Sequence, residues 1–179
     1  CLDAGFSGLI CPMINTAEDA RRLVQSARYA PMGRRSFGPT RANLVHGAGY
    51  AKGANDSVLV LAMIETREAL QNLDAILAVE GVDGVYVGPS DLGLSLGHEP
   101  TLEPIAPEVL SAITEIVTRT RAAGRIAGVH TGSPAMIRAM LAQGFHFASL
   151  LTDVRILVSA LANQLAAVRE TTAETVKGY

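Results

Sequence analysis

The stretch Val58–Leu92 reads VLVLAMIETREALQNLDAILAVEGVDGVYVGPSDL. It opens on a seven-residue apolar run, Val58–Ile64, and turns polar at Glu65-Thr66. Leu70, Leu73, Ile76 and Leu77 then recur at helical spacing within Arg67–Leu77, so they share one face of a helix. A second apolar run, Val82–Val87, follows and ends in a Gly88-Pro89-Ser90-Asp91 corner. Both runs are apolar throughout and do not alternate, as strands covered on both faces are. The stretch therefore predicts a strand, a crossover helix and a parallel strand.

The same grammar extends in both directions. Strands are expected at Gly8–Ile14, Ile126–His130 and Phe147–Leu151. Thr16 and Asp19 form a capping-box start for a helix running to about Ala27. Pro107–Ala123 starts on a proline and stops before Gly124, and Ser133–Gln143 is bounded by Ser-Pro and Gly144. A last helix is expected over Asp153–Arg169, followed by a polar tail. Arg34 and Arg35 fall in a long Gly- and Pro-containing loop, either solvated or binding an anion or a neighbouring subunit.

Five βα units in succession predict an α/β fold with a parallel sheet. A doubly wound sheet and a (β/α)8 barrel both satisfy that pattern. No G-x-G-x-x-G follows any strand, which removes the main support for a dinucleotide fold. Chemically active side chains sit at strand ends instead: Glu65, Asp91, His130 and Asp153. That is how a barrel gathers its site. The chain opens without Met on CLDAG, which reads as the last turn of a helix capped by Gly5. The expectation is the last five units of a TIM barrel, with material missing upstream.

Composition bounds the function. The 179 residues are 49% hydrophobic and carry a net charge of −2. With a pI near 6.1 and no basic cluster, nucleic acid is not the expected partner. No apolar run is long enough to span a membrane, and no signal peptide is evident. Cys1 and Cys11 have neither metal nor disulfide spacing, which fits a reducing, cytoplasmic setting.

Glu65 and Asp91 follow consecutive strands, which lie about 4.8 Å apart in a sheet. Two carboxylates in one small region repel unless a cation lies between them. Oxygen ligands without His or Cys suit a hard ion such as Mg²⁺ or Mn²⁺. Such an ion leaves positions open for a substrate with adjacent carboxylate and keto oxygens, and acts on the keto oxygen as a Lewis acid. Each residue also has a structural alternative. Glu65 suits the first turn of a helix, and Asp91 suits an N-cap. Gly88 permits close backbone approach, Pro89 stiffens the corner, and the Ser90 and Asp91 amides open a helical turn toward an anion. An ordinary βα turn uses the same residue types. The chain has two lysines, Lys52 and Lys177, neither at a strand end, so a Schiff-base mechanism lacks its lysine here. His130 ends a strand and faces the same region, while His46, His98 and His146 have weaker claims. Asp83 and Glu80 precede or begin a strand and read as structural.

Three segments carry a family resemblance: Ala62–Gly97 (AMIETREALQNLDAILAVEGVDGVYVGPSDLGLSLG), Leu9–Pro39 and Gly128–Asp153. The combination I-E-T…G-V-D-G-V-Y-V-G-P-S-D-L resembles the signature of the HpcH/HpaI family, the class II pyruvate aldolases. The resemblance covers nearly the whole chain. It implies a TIM barrel of the phosphoenolpyruvate/pyruvate type, with residues 1–179 as the C-terminal part of a single aldolase domain. It implies metal-dependent, reversible aldol cleavage of 4-hydroxy-2-oxo acids to pyruvate and an aldehyde through a metal-stabilised enolate, as in aromatic compound catabolism. The cofactor would be Mg, Mn or Co. Glu65 and Asp91 match the family's metal ligands, and Ser90 matches the position whose amide binds the pyruvate carboxylate. Met63 stands where some members have a substrate-binding Gln. Pro12, Ile14 and His130 match pocket-wall positions. The family's base-system His and carboxylate-binding Arg fall upstream of the segment that matches Leu2 onward. Members are commonly homo-hexamers that exchange the last helix, here Asp153–Arg169. Two other readings stand beside this one: a CoA-ester lyase of the citrate lyase type, and an inactive truncated assembly subunit.

Overall fold

In the computed structural model, residues 1–176 are described, with side chains through residue 169. Lys177 lies outside the described residues. A 3-10 turn over Leu2–Ala4 ends at Gly5, whose φ of 95° places it in the left-handed region that glycine tolerates. The strands are β1 (Gly8–Cys11), β2 (Leu59–Ile64), β3 (Gly84–Val87), β4 (Ile126–Thr131) and β5 (Phe147–Leu150). All neighbours pair in parallel in the order β1-β2-β3-β4-β5, giving a curled half-barrel sheet.

The helices are α1 (Ala17–Ala27), α2 (Thr40–His46), α3 (Tyr50–Ser57), α4 (Arg67–Gln71), α5 (Leu73–Leu77), α6 (Pro89–Ser95), α7 (Pro107–Ala122), α8 (Pro134–Gln143) and α9 (Asp153–Val176). The capping box forms as expected: Asp19 N–H donates to Thr16 Oγ1 at 3.1 Å, and Thr16 N–H to Asp19 Oδ2 at 2.9 Å. Ser133 caps α8 through Met136 N–H at 3.2 Å.

Three expectations need correction. The crossover after Glu65 is two short helices that break at Asn72, whose side-chain amide donates to Asn15 O at 2.9 Å. The connection between β1 and β2 contains α2 and α3, so Lys52 is helical. These helices escaped the pattern because Asn43, Gly53, Asn55 and Ser57 dilute the apolar stripe, and only Ala42, Tyr50 and Ala54 are buried. Finally, α9 continues past Arg169 to Val176.

Alternation along the strands divides the sheet into two faces. Val60, Ala62, Ile64, Val85, Val87, Ala127 and Val129 point to the helices and pack with Leu73, Ile76, Ile113 and Ile116 into the core. The residues between them, including Met63, Tyr86 and His130, project from the concave face. At the N-terminal edge of the sheet, the Arg28 guanidinium, 3% exposed, pairs with Asp83 Oδ2 at 2.7 Å and donates to Val58 O at 2.7 Å. The same Asp83 oxygen accepts Val60 N–H at 2.7 Å, so Asp83 does structural work. Arg35 is also structural: it pairs with Asp3 at 2.6 Å and stacks over Tyr29 at 4.5 Å from the ring centroid.

Candidate functional site

Strand parity brings the site together. Ile10, Met63, Glu65, Tyr86, Gly88, Pro89, Ser90, Asp91, Leu102, His130 and Ser149 line one cavity of about 470 Å³ at the C-terminal ends of the strands. Of the residues singled out from sequence, Met63, Glu65, Gly88, Ser90, Asp91 and His130 all meet there. Pro12 and Ile14 stand apart from it: Ile14 is 5% exposed within the core, and Pro12 is exposed. The reason is local. The chain leaves β1 at Cys11, and Met13 takes a left-handed φ of 56°, which ends the alternation that places Ile10 on the concave face.

Glu65 is the most constrained member. It is 4% exposed, yet no cation pairs with it among the described residues. Its Oε1 accepts Met13 N–H at 2.7 Å. Burial pushes its carboxyl above the usual range, and the neighbouring Asp91 charge adds to that rise, while the Met13 amide opposes it. Burial likewise raises the nearby Cys11 thiol, with Glu65 contributing.

The glycine in the corner is explained by the same carboxylate. A Cβ on Gly88 would lie 2.7 Å from Glu65 Oε2 and 3.3 Å from Met63 Sδ. Any other side chain would displace the carboxylate. The Gly88 backbone is extended, with φ −99° and ψ 92°, so space and not conformation demands the glycine here. Pro89 opens α6, and its first intrahelical bond is Leu92 N–H to Gly88 O at 3.0 Å. The Ser90 and Asp91 amides precede that bond and have no hydrogen-bond partner among the described residues.

Glu65 and Asp91 fit a hard divalent cation in donor type: two carboxylates, one buried, with no Lys or Arg among the cavity-lining residues. They supply two protein ligands only. No group of three or more His, Cys, Asp or Glu side chains clusters for a metal among the described residues. A substrate or water would complete such a shell.

Two residues that the sequence reading passed over belong to the site. Tyr86 and Ser149 form a polar cluster with His130. His130 Nδ1 lies 2.7 Å from Ser149 Oγ and 3.1 Å from Tyr86 Oη, and the two hydroxyls hydrogen-bond each other. Burial pushes the His130 imidazole below its usual value, and Arg155 adds to this. Parity would have found Tyr86, two residues before Gly88. Ser149 depends on the β4–β5 register, which pairs it with His130. The remaining histidines serve elsewhere: His46 stacks on Tyr50, His98 contacts Glu108, and His146 Nδ1 accepts Ala127 N–H.

A parallel α/β sheet with paired carboxylates and a cavity at its strand ends has the layout of an enzyme site. The profile of one family, HpcH/HpaI aldolase/citrate lyase, matches residues 1–160, and the chain belongs to that family. It is 48% identical over 166 residues to the hydroxypyruvate/pyruvate aldolase of Rhizorhabdus wittichii, covering 93% of this chain and 66% of that protein. It is 41% identical over 167 residues to a 2-keto-3-deoxy-L-rhamnonate aldolase of Salmonella paratyphi A, covering 92% and 62%. The fold matches a crystal structure of a family member from Burkholderia cenocepacia with TM-score 0.82 at 30% identity, covering 94% of this chain and 67% of that one. The chain thus spans slightly under two thirds of the curated relatives it matches. No helix among the described residues is long and apolar enough to cross a membrane.

Proposed function

We propose that this chain forms part of a pyruvate aldolase that cleaves 4-hydroxy-2-oxo acids to pyruvate and an aldehyde, and runs the reverse condensation. The observation that carries this reading is the buried Glu65 carboxylate, unpaired by any cation among the described residues, beside Asp91 in the strand-end cavity. Family membership and two relatives named as aldolases support it.

Glu65 and Asp91 would hold a divalent ion, Mg, Mn or Co. When bound, such an ion supplies Lewis-acid polarisation of a keto oxygen. The chain's own residues do the rest. Met13 N–H fixes one Glu65 oxygen and leaves the other facing Gly88. The Ser90 amide, at the start of α6, would hydrogen-bond the substrate carboxylate. Met63, Ile10 and Leu102 make the wall apolar and limit water around the carbon that changes bonding. Water or a residue outside the cavity wall would carry the proton to and from the reacting atoms.

The sheet would be the last five units of a (β/α)8 barrel. The apolar side chains that α9 leaves exposed, among them Val154, Leu157, Leu161 and Leu165, suit packing on another subunit of a homo-oligomer. Cys1 and Cys11 are both free, in keeping with a cytoplasmic enzyme. Assay of the full-length protein with 4-hydroxy-2-oxo acids, with and without EDTA, tests the reading. Pyruvate release that disappears on chelation and returns with Mg²⁺ or Mn²⁺ is expected. Release that survives thorough chelation would remove the metal from the mechanism, and turnover of CoA thioesters alone would favour the citrate-lyase branch.

A further inference from the structure

Between β1 and α1 the chain is held by one buried apolar side chain and a set of polar ties. Ile14 is 5% exposed, while Pro12 and Met13 are exposed. Burial of Ile14 is non-directional and does not by itself aim the Met13 N–H at Glu65. Asn15 supplies the direction. Its backbone oxygen accepts the Asn72 side-chain amide at 2.9 Å, and its Oδ1 accepts the Thr66 hydroxyl at 2.5 Å. On the α1 side, Asn15 N–H donates to Asp19 Oδ2 at 3.3 Å, a longer bond.

Both donors to Asn15 lie just beyond Glu65 in the chain. Thr66 follows it directly and caps α4, where its Oγ1 also accepts Ala69 N–H at 3.0 Å. With one hydrogen bond given and one accepted, the hydroxyl is fixed in orientation. Asn72 sits between α4 and α5 with φ −93° and ψ 8°, in the bridge region. Asparagine is a poor helix former, and its bond to Asn15, fifty-seven positions away, offsets that local cost. The bonds close a ring: Met13 N–H to Glu65 Oε1, along the backbone to Thr66, through its hydroxyl to Asn15, and back along the chain to Met13. Asn72 braces the ring from outside. Moving the carboxylate strains or breaks a member of it. Asn15, Thr66 and Asn72 do not line the strand-end cavity, so any effect they have on it runs through Glu65.

We propose that Thr66 and Asn72, acting through Asn15 and the Met13 amide, are positioning residues for the Glu65 carboxylate. Groups that hold a metal-binding carboxylate in place change metal affinity without touching the ion. That consequence rests on the reading of Glu65 as a metal ligand, whereas the ring consists of this chain's residues alone.

The test uses the full-length protein and two readouts, Mn²⁺ affinity by calorimetry and hydrogen–deuterium exchange at the Met13 amide by mass spectrometry. Thr66→Val and Asn72→Ala should each weaken Mn²⁺ binding about tenfold and speed Met13 exchange about tenfold. Thr66→Ser keeps the hydroxyl and should stay within about twofold of wild type in both. Glu65→Ala leaves no carboxylate to position, so adding Asn72→Ala to it should weaken Mn²⁺ by less than about twofold further, because residues that act through one another are not additive. Mn²⁺ affinity unchanged in Thr66→Val and Asn72→Ala, whatever their Tm, overturns the assignment. So does a Thr66→Ser variant that behaves like Thr66→Val, or a full tenfold loss on top of Glu65→Ala. A wild type that binds no Mn²⁺ overturns the metal reading. Met13 exchange that still responds to Thr66→Val and Asn72→Ala then upholds the positioning of Glu65, and exchange that does not respond overturns both.

Discussion

Met13 N–H donates to Glu65 Oε1 across 2.7 Å and so locks the end of β2 to the segment leaving β1. Met13 adopts a left-handed φ of 56° to do so, a conformation that costs a non-glycine residue energy and recurs at functional sites. The bond fixes one carboxylate oxygen and, through Gly88, space is kept for the other. The carboxylate is thus oriented before any ligand arrives, which is the preorganisation a strand-end site requires.

Removing either carboxylate should separate binding from folding. Glu65→Gln retains an oxygen for the Met13 amide, and Asp91 is exposed, so neither Glu65→Gln nor Asp91→Asn should lower Tm by more than a few degrees. Both should weaken Mn²⁺ binding, measured by calorimetry, by at least about tenfold, and lower kcat/KM by about 10²-fold or more. Unchanged Mn²⁺ affinity in Glu65→Gln would show that the ion is held elsewhere.

Gly88→Ala is a test of space alone. The added methyl would sit 2.7 Å from Glu65 Oε2, and the backbone there is already extended. We expect a stability loss of about 1–3 kcal/mol from the clash. Activity should fall more than tenfold as the carboxylate is displaced. Near-wild-type kinetics would mean that Glu65 can retreat without consequence.

The buried ion pair at the opposite end of the sheet should matter for stability and not for chemistry. Arg28→Ala leaves Asp83 without its cation and the Asn55, Val58 and Gly81 carbonyls without their donor. A loss of about 3–5 kcal/mol in chemical denaturation is expected. Residual folded protein should keep its KM. A change in KM larger than about threefold would show that this edge communicates with the cavity.

The capping box gives a pH signature. The Thr16 hydroxyl holds the Asp19 carboxyl below the ordinary carboxylate value, with Arg22 and the Asn15 and Thr16 amides assisting and burial opposing. A lowered folded-state value means that stability is present above the unfolded-state pKa and is lost as pH falls through the folded-state one. Asp19→Ala should therefore be less stable than wild type at pH 7, by about 1 kcal/mol, with the gap narrowing as pH drops below the carboxylate range. A gap independent of pH would assign the effect to contacts that do not need the carboxylate charge, since alanine by itself favours the helix.

The chain's local chemistry determined a great deal. Predominantly apolar runs mark all five parallel strands, because strands covered on both faces need not alternate apolar with polar residues. Thr16 with Asp19 and Ser133 before Pro134 mark helix starts, because caps act within four residues. Glu65, Asp91 and the Gly88 corner could be nominated for the same reason: strand ends are visible in sequence, and parallel strands bring their ends together. What depends on distance along the chain had to wait for tertiary structure. Only register sets Ser149 opposite His130, and only packing shows that Gly88 is required by the Glu65 carboxylate and not by its own backbone. Met13's turn, which removes Pro12 and Ile14 from the cavity wall, has no local signature. Its compensation is a hydrogen bond to a residue fifty-two positions away.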